Sequence, residues 1–356
     1  MDPSSAVLAW QLTVACDLAK LCDRLVVITH RAAPIELPPN MTVLSFPNRW
    51  LRAPLRWFGG RWWLNAWVFA VCRREAVNAV FIHMNMEWAY RLKPCFAALK
   101  LPVLVWYAHG TVSHRLRAAL LCATRVVTST PEGFRIPSPK VHVIGQGIDT
   151  ATFSCPPLRE PRAEIVYAGR IYGSKRIELV VEAFHEVVTR RPDTPFGLRV
   201  IGRALTAEDE AYFERVRNMV ISRGLDTRVH FEGHVPAHEI PAYYGSAFLH
   251  LNVSTTGSMD KTVLESLACG CPVLTSNEAF ASMFRDHPRF VITDERPDAI
   301  ALRVLDAYDR RDLEDRSALR ALVVGRHDVV SFARRIYTQL QGLLVSTTGE
   351  LRRSAA

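Results

Sequence analysis

The stretch VYAGRIYGSKRIELVVEAF, residues 166–184, decides the fold of this chain. A short apolar run that ends at Ala168 is typical of a buried strand, and a turn containing glycine follows it. Apolar residues then recur at helical spacing from Ile177 onward. A buried strand that runs through a turn directly into an amphipathic helix is the unit from which parallel α/β sheets are built. The sequence therefore predicts an α/β protein.

The same alternation of short β-branched runs and longer amphipathic stretches extends along nearly the whole chain. It restarts after a Pro-rich spacer at residues 155–161, which we expect to be a hinge. We therefore expect two Rossmann-like, doubly wound domains at residues 1–153 and 154–330, and a C-terminal helix and tail at 331–356 that returns toward the first domain. The predicted strands lie at residues 25–29, 79–83, 103–107, 125–128, 141–144, 164–168, 198–201, 229–232, 247–252, 272–275 and 290–292, and the clearest helices at 177–190, 209–223 and 262–268.

The N-terminus departs from this pattern, because a helix predicted over residues 5–21 precedes the first strand. A Rossmann-like domain normally opens with a strand, so the first strand of this domain is apparently missing. Either the domain is a variant without it, or the native start codon lies upstream of Met1. Of these two interpretations the sequence favours the second.

Composition limits the classes of partner. The 356 residues carry a formal charge of +9, which indicates a polyanionic partner such as nucleic acid, an anionic membrane or a phosphorylated substrate. No nucleic-acid recognition motif is present, so we expect no nucleic acid. The eight cysteines lack metal-ligand or redox spacing and fit a reducing cytosol, so we expect no metal site. The N-terminus has no signal-peptide pattern, and the apolar run at residues 62–72 is too short to span a bilayer, so we expect a cytoplasmic protein.

The turn after the strand at 164–168 is the first candidate site. Ligands of parallel sheets gather at the carboxyl ends of strands, where helix N-termini present free N–H groups. Gly169 allows a close backbone approach, the Arg170 guanidinium can contact phosphate oxygens in a bidentate manner, and Lys175 adds a mobile positive charge. The alternative is a solvated basic turn at the start of a surface helix.

The segment LNVSTTGSMDKTVLESLACGCPVLTSN, residues 251–277, is the second candidate site. A polar loop that contains Gly257, Asp260 and Lys261 separates a strand from a helix that carries Glu265. A carboxylate among apolar helix residues must face a site or be paired, and two ribose hydroxyls would satisfy it. An ordinary exposed glutamate remains the alternative.

These two segments together resemble glycosyltransferase family 4, over residues 165–277. The resemblance implies that Gly169, Arg170 and Lys175 hold the diphosphate of a nucleotide-sugar and that Glu265 binds its ribose. VIG, which ends at Gly202, and RVHFEGHVP at residues 228–236 match further landmarks in order and spacing. The resemblance implies that Gly202 also belongs to the donor-binding residues. The family implies a GT-B fold, with two Rossmann-like domains that face each other across a cleft, and a retaining sugar transfer without a metal ion or other cofactor.

One position departs from the family pattern. Gly257 occupies the place of the first glutamate of the acidic motif, which usually contacts the transferred sugar, and a DK loop follows it. We expect Asp260, Lys261 and Thr262 to bind the sugar donor, and Asp260 or Lys261 to replace the missing contact. The family's glycine-rich loop after the first strand has no counterpart here and would lie upstream of Met1, with Asp2 as its last remnant.

The N-terminal half contributes two histidines that follow strands, His83 and His109. Each could be a structural residue, but the resemblance implies that His109 faces the sugar donor and acts in catalysis. The segment VIGQGIDTATF at residues 143–153 resembles the family's junction between domains. Together with His83, its residues Gln146, Gly147 and Asp149 are expected to line the cleft near the hinge.

The stretch NRWLRAPLRWFGGRWWLNAW at residues 48–67 mixes arginines with tryptophans. Such a segment suits an anionic membrane interface, and a core helix with solvated arginines is the alternative. We therefore expect a retaining transferase that uses a UDP- or GDP-sugar and a lipid-linked or polysaccharide acceptor, and that contacts the inner face of the cell membrane. A sugar-nucleotide epimerase of the same fold and a non-catalytic nucleotide-sugar-binding relative remain alternatives.

Overall fold

The structure is a computed structural model that describes residues 9–30, 36–46, 60–157 and 163–353. The chain divides into two compact units. Met1–Gly147 and Val329–Ala356 form the first unit, and Ile148–Asp328 forms the second. The predicted domain limits at residues 153 and 330 differ from these divisions by a few residues.

Two parallel sheets lie in the described part of the first unit. Strands β1 (Leu25–Thr29) and β2 (Met41–Ser45) form one sheet. The other contains β3 (Val80–His83), β4 (Val103–Trp106), β5 (Arg125–Thr128) and β6 (Val141–Val143), in sequence order. The helices of this unit are α1 (Ala9–Ala19), α2 (Gly60–Arg74), α3 (Glu87–Arg91), α4 (Lys93–Ala98), α5 (His114–Cys122) and α12 (Val329–Arg353).

Sequence reasoning missed β2. Its MTVLS segment offers only one short apolar run, and strands of this length are hard to distinguish from loops by pattern alone. Within the described residues, β1 pairs with β2 rather than with the four strands that follow. The helix predicted before β1 is present as α1, and residues 1–8 lie outside the described part.

The last helix, α12, packs on the four-stranded sheet of the first unit. Phe332 of α12 is fully buried and meets the Trp106 ring edge to face, with the ring centroids 4.9 Å apart. It also contacts Trp10 of α1. Aromatic pairs of this geometry add to the free energy gained by burial, so these contacts fix α12 to the first unit.

In the residues that the structure describes, the second unit contains one parallel sheet of five strands with the order β11-β10-β7-β8-β9. The strands reverse their winding direction between β7 and β10, which makes this the switch point where α/β proteins bind ligands. The strands are β7 (Glu164–Ala168), β8 (Gly197–Ile201), β9 (Val229–Gly233), β10 (Ala247–Asn252) and β11 (Val273–Thr275). The helices are α6 (Ile177–Arg190), α7 (Ala207–Ser222), α8 (Ile240–Ser246), α9 (Lys261–Ala268), α10 (Pro297–Asp309) and α11 (Arg316–Ala321).

The helix after β7 shows how apolar spacing builds this unit. Ile177, Val180, Phe184 and Val187 recur along one side of α6 and are fully buried in the same core as the strand residue Leu198. Burial of each such side chain contributes about 1.5 to 3 kcal/mol. The buried side of α6 therefore holds the preceding turn rigidly at the carboxyl end of β7.

The strand predicted over residues 290–292 is wrong. Pro288–Phe290 forms a single 3₁₀ turn, and only an isolated bridge joins Val291 to Thr275 of β11. Proline has no backbone N–H group and favours the start of such a turn, so the apolar residues after it do not extend into a ladder.

Candidate functional site

The loops that follow β7 and β10 meet at the switch point of the second unit. The first loop ends in a 3₁₀ turn, Gly173–Lys175, and α6 begins directly after it. The backbone N–H of Thr255, in the loop after β10, donates to the carbonyl oxygen of Ser174 at 3.1 Å. The structure therefore brings the two segments that the sequence singled out into direct contact.

Lys175 and Asp260 form a buried ion pair between these loops. The Lys175 Nζ atom lies 2.6 Å from Asp260 Oδ1, and the two residues are only 8% and 9% exposed. Lys175 also donates to the Ser254 hydroxyl at 3.4 Å. Burial alone would raise the pKa of Asp260, but the charge of Lys175 and hydrogen bonds from its neighbours bring that pKa below its usual range. The ion pair therefore ties the two loops together.

Arg170 lies on the other side of the same loop. Its guanidinium donates through Nε (3.1 Å) and Nη2 (2.6 Å) to Asp209 Oδ2, stacks over the Tyr172 ring and has a side chain 40% exposed. Asp209 also accepts from the backbone N–H of Thr206 in the capping box of α7. The hydrogen bond from Arg170 is the largest cause of a lowered pKa at Asp209. Arg170 is thus held at the start of α7 with part of its guanidinium open to solvent.

Two glycines bring the ends of β7 and β8 close together. Gly169 and Gly202 have φ angles of 149° and 147°, a region that favours glycine. A Cβ atom at Gly202 would lie 1.8 Å from the carbonyl oxygen of Gly169, so no side chain fits there. This close packing of main chains explains Gly202 by itself, and its contact with a sugar donor stays a prediction.

Helix α9 carries the remaining predicted residues of the second unit. Lys261 and Glu265 are half-buried and lie one helical turn apart. Burial lowers the pKa of Lys261 and raises that of Glu265, while the opposite charge of each partner acts against both shifts. The carbonyl oxygen of Thr262 accepts from the Tyr244 hydroxyl at 3.2 Å, which attaches this turn to α8. Glu265 therefore lies in a partly apolar environment next to Lys261, and its role in binding the ribose stays a prediction.

The two predicted histidines of the first unit differ in their surroundings. His83 Nδ1 lies 3.1 Å from Gln11 Nε2, and its ring packs on Trp10 and Trp106. These contacts join α1 to the sheet, which is a structural role. His109 is half-buried in the loop after β4, where its Nδ1 accepts from the backbone N–H of Thr111 at 3.2 Å. The roles predicted for both in binding or catalysis stay predictions.

The predicted hinge residues make local contacts. The buried Gln146 side chain accepts from the backbone N–H of Gly147 at 3.1 Å, and a Cβ atom at Gly147 would lie 2.6 Å from Cβ of Phe332. Asp149 accepts from the backbone N–H groups of residues 151 and 152. These contacts shape the chain locally, and the prediction that these residues line a cleft is untested.

The most buried polar residues at the switch point were missed. Asn252 and Asn277 both donate to Asp260 Oδ2, at 3.1 and 3.3 Å, and Thr275 donates to Asn252 at 2.9 Å. All three lie at or just after the ends of β10 and β11. The available signal was a polar residue at or just after the end of a buried strand. This signal selected Arg170 and Lys175, but it was not applied to Asn252 and Asn277.

The Arg and Trp stretch is described only in its second part. Residues 47–59 lie outside the described residues. Trp62 and Trp63 are 80% and 64% exposed at the start of α2, whereas Leu64 and Trp67 pack on the core of the first unit. In the described part of the chain, no helix combines the length and apolarity needed to cross a bilayer. Among the same residues, no group of three or more His, Cys, Asp or Glu side chains is arranged to hold a metal ion.

Residues 162–310, which contain both loops, match the family model described as "Glycosyl transferases group 1". The D-inositol 3-phosphate glycosyltransferase of Paenarthrobacter aurescens is 26% identical over 63% of this chain and 59% of its own length. The GDP-mannose-dependent alpha-(1-6)-phosphatidylinositol monomannoside mannosyltransferase of Mycolicibacterium smegmatis is 26% identical over 54% of this chain and 52% of its own length. The chain thus spans about half the length of these curated relatives.

The HepE protein of Anabaena, solved in complex with UDP, has a similar structure. It superimposes with a TM-score of 0.74 at 16% identity and covers 96% of this chain and 97% of its own. This likeness confirms the predicted fold class, an α/β protein of the GT-B type with two Rossmann-like units.

Proposed function

We propose that this chain is a retaining glycosyltransferase that moves a sugar from a UDP- or GDP-sugar to a lipid-linked or polysaccharide acceptor. The contact between the loops after β7 and β10 carries the proposal, because it gathers Arg170, Lys175 and the start of α9 at the switch point of the sheet. The family match over residues 162–310 covers the same loops and supports this assignment.

In this proposal the two cations neutralise the diphosphate as it leaves. Negative charge develops on the leaving group in the transition state, and fixed positive groups lower the barrier most when they are already oriented. Lys175 is oriented by its ion pair with Asp260 and Arg170 by its ion pair with Asp209. No protein nucleophile is assigned, since an oxygen of the leaving phosphate takes the proton of the acceptor. We propose that His109 positions the transferred sugar.

Glu265 is proposed to bind the ribose through its two hydroxyls. Its half-buried carboxylate lies on α9, directly after the DK loop. Glu265→Ala should therefore weaken binding of the nucleoside diphosphate, as measured by calorimetry, more than it lowers the rate at saturating donor. An unchanged affinity for both UDP and GDP would contradict this role.

Thermal stabilisation by a panel of UDP- and GDP-sugars tests the function directly. A ligand bound only to the native state raises the melting temperature by mass action, so one class of nucleotide-sugar should raise it and the other should not. The stabilising sugar donor should then be consumed in the presence of an acceptor, with turnover unchanged by EDTA. An isomerised sugar donor without an acceptor would identify an epimerase instead, and no binding of either class would indicate a non-catalytic relative.

The acceptor is proposed to be presented at the inner face of the cell membrane. The mycobacterial relative is named as a phosphatidylinositol monomannoside mannosyltransferase, and Trp62 and Trp63 of this chain expose indole rings next to a basic segment of the sequence. Co-sedimentation with vesicles that contain anionic lipid should be stronger for the wild type than for a Trp62→Ser/Trp63→Ser variant. Equal binding of both to anionic vesicles would remove this part of the proposal.

A further inference from the structure

Both carboxylate oxygens of Asp260 are already bound by neighbouring side chains. Oδ1 accepts from Lys175 at 2.6 Å, and Oδ2 accepts from the amides of Asn252 at 3.1 Å and Asn277 at 3.3 Å. Asp260, Asn252 and Asn277 are all buried. A carboxylate with every partner in place and little exposure has little capacity left to bind a sugar hydroxyl.

The two amides are themselves fixed by the ends of the central strands. Asn252 Oδ1 accepts from the Thr275 hydroxyl at 2.9 Å, so β10 and β11 hold this amide in one orientation. The Asn277 amide also donates to the carbonyl oxygen of Ser258 at 2.9 Å. The orientation of Asp260 is therefore set by the rigid part of the sheet rather than by the loop alone.

Asp260 does not perform the usual role of an aspartate in its position. It precedes the first residue of α9, where an aspartate side chain normally accepts from a backbone N–H group of the first turn. The structure shows no such bond from the Asp260 side chain. The carboxylate points instead to Lys175, in the loop after a different strand.

We propose that Asp260 is a positioning residue that acts through Lys175, and that the Asn252 and Asn277 amides hold it in place for this purpose. This inference rests on the proposed function. It replaces the expectation that Asp260 contacts the transferred sugar. The ammonium group is held between the loops after β7 and β10, where the diphosphate is proposed to bind, and its orientation is set before the nucleotide arrives.

A double-mutant cycle with two nucleotides tests this assignment. Wild type, Asp260→Asn, Lys175→Ala and the double variant are titrated by calorimetry with UDP and UDP-glucose, or with GDP and GDP-mannose if the wild type prefers guanine. Asp260→Asn should weaken binding of the free nucleoside diphosphate and of the nucleotide-sugar by the same factor, about tenfold or more, because the effect concerns the diphosphate. In the Lys175→Ala background the same substitution should change either affinity less than twofold.

Two results would overturn the inference. Weaker binding of the nucleotide-sugar with unchanged binding of the free diphosphate would show that Asp260 contacts the sugar. An equal loss in both backgrounds would show that Asp260 acts independently of Lys175. A wild-type chain that binds neither UDP nor GDP would contradict the proposed function instead, so the two failures are distinguishable.

Two further variants control for folding and for the chemical change. Asp309→Asn makes the same carboxylate-to-amide change in the exposed ion pair with Arg191, at 2.6 Å, and should leave nucleotide affinity unchanged. If Asp260→Asn does not fold, Asn277→Ala removes one hydrogen bond to Asp260 and keeps the ion pair. It should weaken binding of the free diphosphate about threefold when Lys175 is present and not when it is replaced. No change in either background would overturn the inference.

Discussion

The two cations after β7 lie only five residues apart in the sequence but in opposite environments. Lys175 is buried, and its partner Asp260 is surrounded by fixed amides at the ends of β10 and β11. The Arg170 side chain is 40% exposed, and its partner Asp209, which belongs to the capping box of α7, is itself buried. The same proposed task is thus carried by a lysine that is buried together with its carboxylate partner and by an arginine that stays exposed although its carboxylate partner is buried. Substitutions of Lys175 and Arg170 should therefore differ in their effect on the free energy of unfolding even where they lower turnover alike.

Lys175→Ala should have the largest effect of all. It leaves the Asp260 charge buried without its counterion, and breaking a buried pair from one side costs about 3 to 5 kcal/mol. The free energy of unfolding from urea titration should fall by about this amount, and turnover of the folded fraction by two or more orders of magnitude.

Lys20→Ala is the control for this prediction. It removes a lysine that is paired with Asp17 at 2.6 Å but is itself exposed, so the free energy of unfolding should change by less than about 1 kcal/mol. Equal losses in the two variants would mean that burial does not distinguish Lys175 from a surface lysine.

His250→Leu tests the buried part of the second unit through the pH dependence of the free energy of unfolding. His250 lies within β10, and its two ring nitrogens have no hydrogen-bond partner within the described residues. Burial lowers the pKa of His250 to about 3. His250 is therefore protonated near pH 6.5 in the unfolded chain but stays neutral in the folded chain until about pH 3. The stability that is present above pH 6.5 is lost as the pH falls toward 3. At pH 5 this loss is about 2 kcal/mol relative to neutral pH.

The measurement is the free energy of unfolding at pH 7.5 and pH 5 for wild type, His250→Leu and His238→Asn. The leucine variant should lose about 2 kcal/mol less than the wild type between these two values. The exposed His238 serves as the control and should follow the wild type. Parallel losses in all three proteins would show that His250 does not resist protonation.

The same contrast explains what the sequence could predict. Alternating apolar patterns identified the parallel sheets. Gly169, Arg170 and Lys175 became candidates because they follow a strand, and Glu265 because it lies among apolar residues of a helix. What could not be predicted is which carboxylate faces which cation, because Asp209 and Asp260 lie 39 and 85 residues away along the chain. Sequence spacing predicts that groups gather at one edge of a sheet, whereas side-chain pairing depends on loop geometry. The short strand β2 and the turn at Pro288 were misjudged because local patterns of three to five residues do not decide between loop and strand.

Arg170→Ala should have the smallest effect on stability and still reduce turnover strongly. The guanidinium is partly exposed, and Asp209 keeps the hydrogen bonds from the backbone N–H groups of Leu205 and Thr206, so the substitution should change the free energy of unfolding by about 1 kcal/mol or less. Added salt should reduce the difference further. Turnover should nevertheless fall by two or more orders of magnitude, because the guanidinium is proposed to neutralise the leaving diphosphate.

Thr206→Ala is the matched control, since it removes a cap of the same helix α7 and does not touch Arg170. It should cost about 1 kcal/mol in stability with near-normal turnover. Near-normal turnover in Arg170→Ala would limit the proposed diphosphate contact to Lys175. The ion pair between Arg170 and Asp209 would then have a structural role only.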